Sequence, residues 1–390
     1  MNLGHRTGGL PTGRRELLAG VCSGFSATLA GCLGGGGNGP TRETPLDPSI
    51  GGAPMFQYDL ANTGSVADVT GPAEPTEEWT FDAGGSVRSS PAVVDGTVYV
   101  GGGNTLYAVD AVDGERLWSF ETRGRIHSSP AVVDGTVYVG TRGDRLYAID
   151  AADGTERWAF EANGSIDASP TAADGVVYAA SRATEGKVYA VDAADGTERW
   201  AFGTDYRVIS SPALAHGAIY VGGWDSAVYA IDAADGTERW RIGTERPVLS
   251  APAVGDAVYV GGNDGRTYAL DPDSGTEQWR FETGSIATTP AIGDAVYVGG
   301  NDGGLYALDP QTGAERWRAD AESAVTTAPT VAEAVYVGDD GGVASFEAGS
   351  GDGRWRFEAG DAVRAAPTVV ADMVYVGDEG GRLYAIGASD

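Results

Sequence analysis

The sequence predicts an all-β fold: an eight-bladed β-propeller of four-stranded antiparallel blades, with its ring closed by the N-terminal strand. Three observations predict it. Eight of the nine tryptophans, Trp79, Trp118, Trp158, Trp200, Trp240, Trp279, Trp317 and Trp355, recur at near-constant intervals. A period of about 40 residues marks stacked copies of one supersecondary unit. Each period also divides into four short apolar runs separated by turn-forming pairs, which is the spacing of a propeller blade. A proline recurs in step, as Pro91, Pro130, Pro170, Pro212, Pro252, Pro290, Pro329 and Pro367.

The chain begins with a segment that reads as an export signal, residues 1–31. Thr12-Gly13-Arg14-Arg15-Glu16-Leu17-Leu18 resembles a twin-arginine motif, with Arg14 and Arg15 as the pair. The apolar run from Leu17 to Ala30 that follows is shorter than the roughly 20 residues needed to span a bilayer and suits a signal core. It ends in Leu29-Ala30-Gly31-Cys32, which resembles a lipobox, so Cys32 is the expected lipidation site. Residues 32–52 are rich in glycine and proline and read as a flexible tether. Residues 53–76 form a lead-in and 77–390 the propeller. Cys22 and Cys32 are the only two cysteines, so the exported body has none for disulfides or thiol chemistry.

One unit shows the grammar of the repeat. Ser128 to Val133 reads as a first strand, Asp134-Gly135 as a two-residue hairpin turn, and Val137 to Gly140 as a second strand. Leu146 to Asp150 is a third strand, and Asp153-Gly154 turns the chain into a fourth, Glu156 to Phe160. The recurrent proline sits in the first strand. Proline cannot donate to a ladder, so that strand should be the inner edge and line the central channel. Of the 17 tyrosines, eight (Tyr99 through Tyr375) fall in second strands and seven in third strands, where Phe346 takes the eighth place. Together with the periodic tryptophans they read as inter-blade core. Tyr58, Tyr206 and Trp224 lie outside this scheme; Tyr58 sits in the lead-in and reads as packing.

The segment Ala148-Ile149-Asp150-Ala151-Ala152-Asp153-Gly154-Thr155-Glu156-Arg157-Trp158 fits A-x-D-x-x-x-G-x-x-x-W. The pattern recurs intact at 108–118, 190–200, 230–240, 269–279 and 307–317, and in altered form from Ser345 to Trp355. The last copy stops at Ala385-Ile386-Gly387 with no tryptophan. This resembles the tryptophan-docking motif of the PQQ-like (quinoprotein-type) eight-bladed propeller family, over about residues 77–390. Glu78-Trp79-Thr80-Phe81 then reads as a fourth strand lacking its first three, and the C-terminus as three strands lacking a fourth; joining them closes the ring.

Composition narrows the function. The chain carries 55 acidic against 26 basic side chains, a net charge of -29, so neither nucleic acid nor an anionic membrane surface suits it as a partner. Lys187 is the only lysine. This composition resembles that of extreme halophiles and, with the export signals, a haloarchaeal-type exported lipoprotein. Its expected place is extracytoplasmic, tethered to the membrane through the lipid anchor alone. His5, His127 and His216 are the only three histidines and form no catalytic constellation with a serine or cysteine. The loops Asn263-Asp264-Gly265 and Asn301-Asp302-Gly303 lack the alternating carboxylates of a calcium loop and read as repeated turn chemistry. For an active quinone enzyme the family resemblance implies calcium ligands, a catalytic Asp, often a vicinal disulfide, and long insertions around the cofactor. The loops here are short, so no cofactor is expected.

Positions that vary within a monotonous repeat carry the remaining signal. Three residues before each proline the blades read Arg88, His127, Asp167, Ile209, Leu249, Ala287, Thr326 and Arg364. Arg364, Arg88, His127 and Asp167 would form one contiguous arc at the channel mouth. The loops between second and third strands should share this face and add Arg142 and Arg145, the longer Ser181–Lys187 segment with Arg182, and Trp224-Asp225, with Tyr206 and Arg207 in the adjoining linker. An arginine-rich, aromatic-bearing face suits a partner peptide or an anionic ligand; the alternative is neutral variation of a solvated rim. The expected function is a monomeric, non-catalytic protein-interaction scaffold binding an envelope protein or peptide. It resembles the propeller lipoproteins of the bacterial outer-membrane barrel-assembly machinery, although the halophilic composition argues against carrying over their outer-membrane role. A quinone- or small-molecule-binding propeller of the PQQ-dependent dehydrogenase type is the alternative.

Overall fold

The computed structural model describes residues 52–67, 69–283 and 288–388. Arg14, Arg15 and Cys32 lie outside these residues, as does Ala287. The described residues form eight four-stranded antiparallel sheets and no helix. In the first blade the strands run β2 (Ala92–Val94), β3 (Thr97–Gly102), β4 (Thr105–Asp110) and β5 (Arg116–Glu121), hydrogen-bonded in sequence order. The first strands of neighbouring blades approach one another around the axis, which makes them the inner edge.

The inner strands are shorter than the sequence suggests, two or three residues each, and each begins just after its proline, as Ala131–Val133 does. The hydroxyls ahead of the proline serve as clamps instead. Ser128 Oγ bonds both the N–H and the carbonyl of Gly140 at 2.9 Å, tying the chain to the end of the second strand. One residue on, the hydroxyls link blades: the N–H groups of Ser90, Ser129 and Ser169 donate to the Oγ atoms of Ser129, Ser169 and Ser211. The Ala366 N–H donates to Ser90 Oγ, carrying the belt across the ring seam.

The ring is closed as the sequence predicts. β1 (Pro75–Asp82) pairs antiparallel with the last strand, Arg382–Ala388, placing Trp79 opposite Ala385. Every one of the eight periodic tryptophans then does the same work. Each indole N–H donates to a backbone carbonyl beside the next blade, in seven cases in the turn between its third and fourth strands, as Trp79 does to Ala111 (3.1 Å) and Trp118 to Ala151 (2.9 Å). Each ring also meets a second-strand tyrosine of its own blade, with centroids 5.8 Å apart for Trp118 and Tyr99. The glycine of the motif is needed because the preceding blade's indole lies flat against it: a Cβ on Gly154 (φ +76) would stand 2.7 Å from Trp118 Cε3.

Trp355 faces a blade whose own turn is missing. Its indole N–H donates to the carbonyl of Pro72 at 2.8 Å, and Tyr336 Oη donates to Thr70 O at 3.0 Å. The lead-in thus stands in for the absent turn, a second closure that the repeat pattern does not show.

The rest of the lead-in closes one end of the channel. Backbone N–H groups of Val93, Val132, Leu214, Val254, Ile292 and Val331 donate to the carbonyls of Ala53, Pro54, Leu60, Ala61, Thr63 and Gly64, at 2.6–2.9 Å. Val369 N–H donates to Tyr58 Oη, which donates in turn to Val369 O. All these residues stand two places after a recurrent proline, at the far end of the inner strands. Inner-edge donors that would otherwise face an open lumen are thereby satisfied. Asn62 Nδ2 adds three carbonyls, Ser211, Pro212 and Pro252, at 3.2–3.4 Å. Tyr58 is packing, as expected, and burial pushes its phenol well above the usual range.

Candidate functional site: the open face of the channel

With one end sealed by residues 53–72, the opposite face is where the variable residues gather. The linkers entering the blades and the loops between second and third strands do share it. The loop residue one or two places after the end of the second strand donates its N–H to the carbonyl of the linker residue five places before the proline. Thus Gly103 bonds Ser86, Arg142 bonds Arg125, Trp224 bonds Arg207 and Glu379 bonds Ala362, at 2.9–3.1 Å.

The lock lies within one blade, and the side chain at the locked loop position reaches the next blade's mouth position. The loop residues are Gly103, Arg142, Arg182, Trp224, Asn263, Asn301, Asp340 and Glu379. Where both members are charged they pair across the blade boundary. Glu379 engages Arg88, Asp340 engages Arg364 at 2.6 Å, and Arg142 grips Asp167 with two bonds of 3.0 and 3.1 Å. Arg182 adds a third to Asp167, at 2.9 Å. Burial works to raise the Asp167 carboxyl, but the Arg142 and Arg182 hydrogen bonds outweigh it and hold it below the usual carboxylate range.

The arc is therefore real but divided. Arg88, His127, Arg142, Asp167 and Arg182 form one electrostatic group, whereas Arg364 turns to the seventh blade, donating to Thr326 Oγ1 (2.9 Å) as well as pairing with Asp340. Arg145 lies near Glu161 at 3.9 Å, away from the arc. Most of the arginine charge that suggests an anion-binding rim is thus cancelled by carboxylates the repeat supplies from the neighbouring blade.

At Gly103 the loop position has no side chain, and a depression of about 700 Å³ opens there. Arg88, Arg125, His127, Arg142, Asn104 and Glu379 are among the residues lining it. His127 is half-buried, and burial, reinforced by Arg142, Arg88 and Arg125, lowers its pKa to about 4 against the pull of Asp167. It is a neutral imidazole at pH 7. Arg125 was not singled out by sequence; it forms no ion pair among the described residues. The signal that could have found it is its place in the linker beside the variable loop, the same place that Arg207 holds in the fourth blade.

Tyr206, Arg207 and Trp224 form a separate cluster. The Arg207 guanidinium lies 5.1 Å from the Tyr206 ring centre and 5.9 Å from that of Trp224. All three side chains are half-buried. Trp224 docks against no blade, unlike the other eight tryptophans. Asp264 and Asp302 are used as turn residues: each accepts a tyrosine hydroxyl, Tyr268 at 2.6 Å and Tyr306 at 2.9 Å, and a backbone N–H two residues on.

Blade geometry, tryptophan docking and the shared ring closure define an eight-bladed propeller of the quinoprotein type. More particularly, the chain belongs to the family described as outer membrane protein assembly factor BamB, whose model matches residues 63–166, 122–204, 162–285 and 263–390. No curated protein sequence matches the chain. Among solved structures, BamB from Moraxella catarrhalis is similar at 21% identity, with a TM-score of 0.69, covering 80% of this chain and 99% of its own. A europium-containing methanol dehydrogenase gives 14% identity and a TM-score of 0.76, covering 88% and 99%. The quinohemoprotein alcohol dehydrogenase of Comamonas testosteroni gives 16% and 0.74, covering 88% and 81%. At these identities the likeness is one of fold, which BamB and two dehydrogenases share.

Proposed function

We propose that this propeller is a non-catalytic, extracytoplasmic scaffold, tethered to the membrane through lipid on Cys32, that docks a partner protein on the open face of its channel. The observation that carries the reading is the ninth tryptophan. Trp224 lies half-exposed beside Tyr206 and Arg207 on the variable face, and Trp, Tyr and Arg are the residues that dominate binding energy at protein interfaces. The family match to an assembly factor supports it. The mature chain binds as a monomer in this reading.

The residues present do not suit a calcium–quinone pair. The mouth carboxylates Glu379, Asp167 and Asp340 are already held by arginines, and Asp264 and Asp302 by tyrosines. Among the described residues no three His, Cys, Asp or Glu side chains are grouped as metal ligands. The second reading, a small-molecule-binding propeller, is favoured by the depression at Gly103 alone.

The test is to isolate the native lipoprotein with its partner, then repeat with Arg88→Glu/Trp224→Ala. Loss of the partner is expected, with no quinone absorbance and no calcium-dependent dye reduction by the purified chain. Unchanged partners, or a quinone chromophore with dye reduction, would overturn the scaffold reading.

A further inference from the structure

The open face cancels its charges blade against blade at three boundaries, and the fourth blade lies outside them. In the fourth blade the loop position holds Trp224 and the next blade's mouth position holds Leu249, so no ion pair can form there. Arg207, locked to Trp224 through the backbone at 2.9 Å, has two aromatic rings for neighbours and no carboxylate among the described residues. The nearby acids are committed elsewhere: Asp205 pairs with Arg241 at 3.1 Å, and Asp225 Oδ2 accepts the Tyr229 hydroxyl at 2.6 Å. The indole N–H of Trp224 and the other oxygen of Asp225 are shielded from solvent, and neither has a hydrogen-bond partner. Arg125 and Arg246, in the equivalent linkers of the second and fifth blades, also form no ion pair among the described residues. In a chain with 55 acidic and 26 basic residues, these linkers thus place cations without a carboxylate partner on the open face.

We propose that the fourth blade of the open face is the docking point for an acidic peptide segment of a partner protein, with Arg207 receiving a carboxylate and Tyr206 and Trp224 packing on its aliphatic stem. This rests on the scaffold reading and names the partner's chemistry. Rings that hold the guanidinium leave its charge intact, so a carboxylate entering from solvent meets a pre-placed, unneutralised donor. The partner has to overcome the repulsion of an acidic protein, so binding is local to this cluster and weakens as salt rises.

The experiment titrates the full chain with an oligoglutamate peptide at low and high salt, following tryptophan fluorescence and heat. Wild type is expected to show a fluorescence change that Trp224→Phe abolishes. Arg207→Gln should weaken binding roughly tenfold or more, the loss of one charge-assisted hydrogen bond. Arg116→Gln, on the opposite face, should leave it unchanged, and unaltered thermal midpoints exclude misfolding. Failure of oligoglutamate to bind at low salt, or equal binding by Arg207→Gln, overturns the proposal. A photo-crosslinker at position 224 of the native lipoprotein separates the two readings. A protein adduct there without oligoglutamate binding leaves the scaffold standing and sinks the acidic segment, whereas no adduct there, nor from a second crosslinker at position 104 on the same face, sinks the scaffold itself.

Discussion

Two glycines separate backbone strain from tryptophan docking. Gly154 and Gly135 both have positive φ, +76 and +67, so alanine at either pays the left-handed penalty of about 1–2 kcal/mol, partly offset by a stiffer unfolded chain. At Gly135 a Cβ meets nothing within 4 Å. At Gly154 it would lie 2.7 Å from Cε3 and 2.8 Å from Cδ2 of Trp118. The indole has to retreat by most of an ångström, which strains its 2.9 Å bond to the Ala151 carbonyl and its contact with Tyr99. Overpacking costs about 1–3 kcal/mol and a weakened buried hydrogen bond about 0.5–1.5 kcal/mol. Gly135→Ala should therefore lose about 1 kcal/mol and Gly154→Ala about 3 kcal/mol. Urea unfolding followed by far-ultraviolet circular dichroism measures both. Adding Trp118→Ala to each closes the comparison: it should remove the excess cost at Gly154 and leave Gly135 unaffected. Equal losses at the two glycines, or additive behaviour of Gly154→Ala with Trp118→Ala, would refute the docking account.

Deleting residues 53–83 removes the closing strand, the plug and the surrogate turn at Pro72 together, and should give an open or aggregating ring by size-exclusion chromatography. A monodisperse, fully folded product would rule out this closure. Asn62→Ala removes amide contacts to the Ser211, Pro212 and Pro252 carbonyls at the sealed end, of which Pro212 keeps the Thr171 hydroxyl, and should cost about 1–3 kcal/mol in thermal or urea unfolding. His127 binds its proton in the unfolded chain near pH 6.5 but in the fold only near 4, so the unfolded state holds more protons between these values. Stability should rise with pH across that window, and His127→Asn should flatten the rise; an unchanged pH profile would contradict it.

How far the sequence carried the fold depends on what kind of interaction was at stake. The blades were legible because their signals repeat: a Trp, a Gly and a Tyr at fixed offsets reproduce one docking contact in every blade, and the absent eighth copy pointed to Trp79 as its replacement. The inner strands were read too long, because Ser128 and Ser129 have strand-like neighbours but use their hydroxyls as clamps. The site was legible only in part. Varying positions flag Arg88, His127, Asp167 and Trp224, but the sequence does not show that Arg88, Arg142 and Arg364 each meet a carboxylate on the neighbouring blade.

By itself, then, the sequence determined the architecture, the ring closure by residues 78–81, and which face varies, because these rest on periodic, near-neighbour contacts written in side-chain identity. Only the tertiary structure decided which end of the channel is sealed, which turn serves Trp355, and which arginines remain unpaired. The seal is made mostly of backbone groups, which carry no residue signature, and Val369 meets its partner Tyr58 across a separation of 311 residues. Charge pairing depends in the same way on a loop of one blade meeting the linker of the next, a juxtaposition that exists only once the ring has closed.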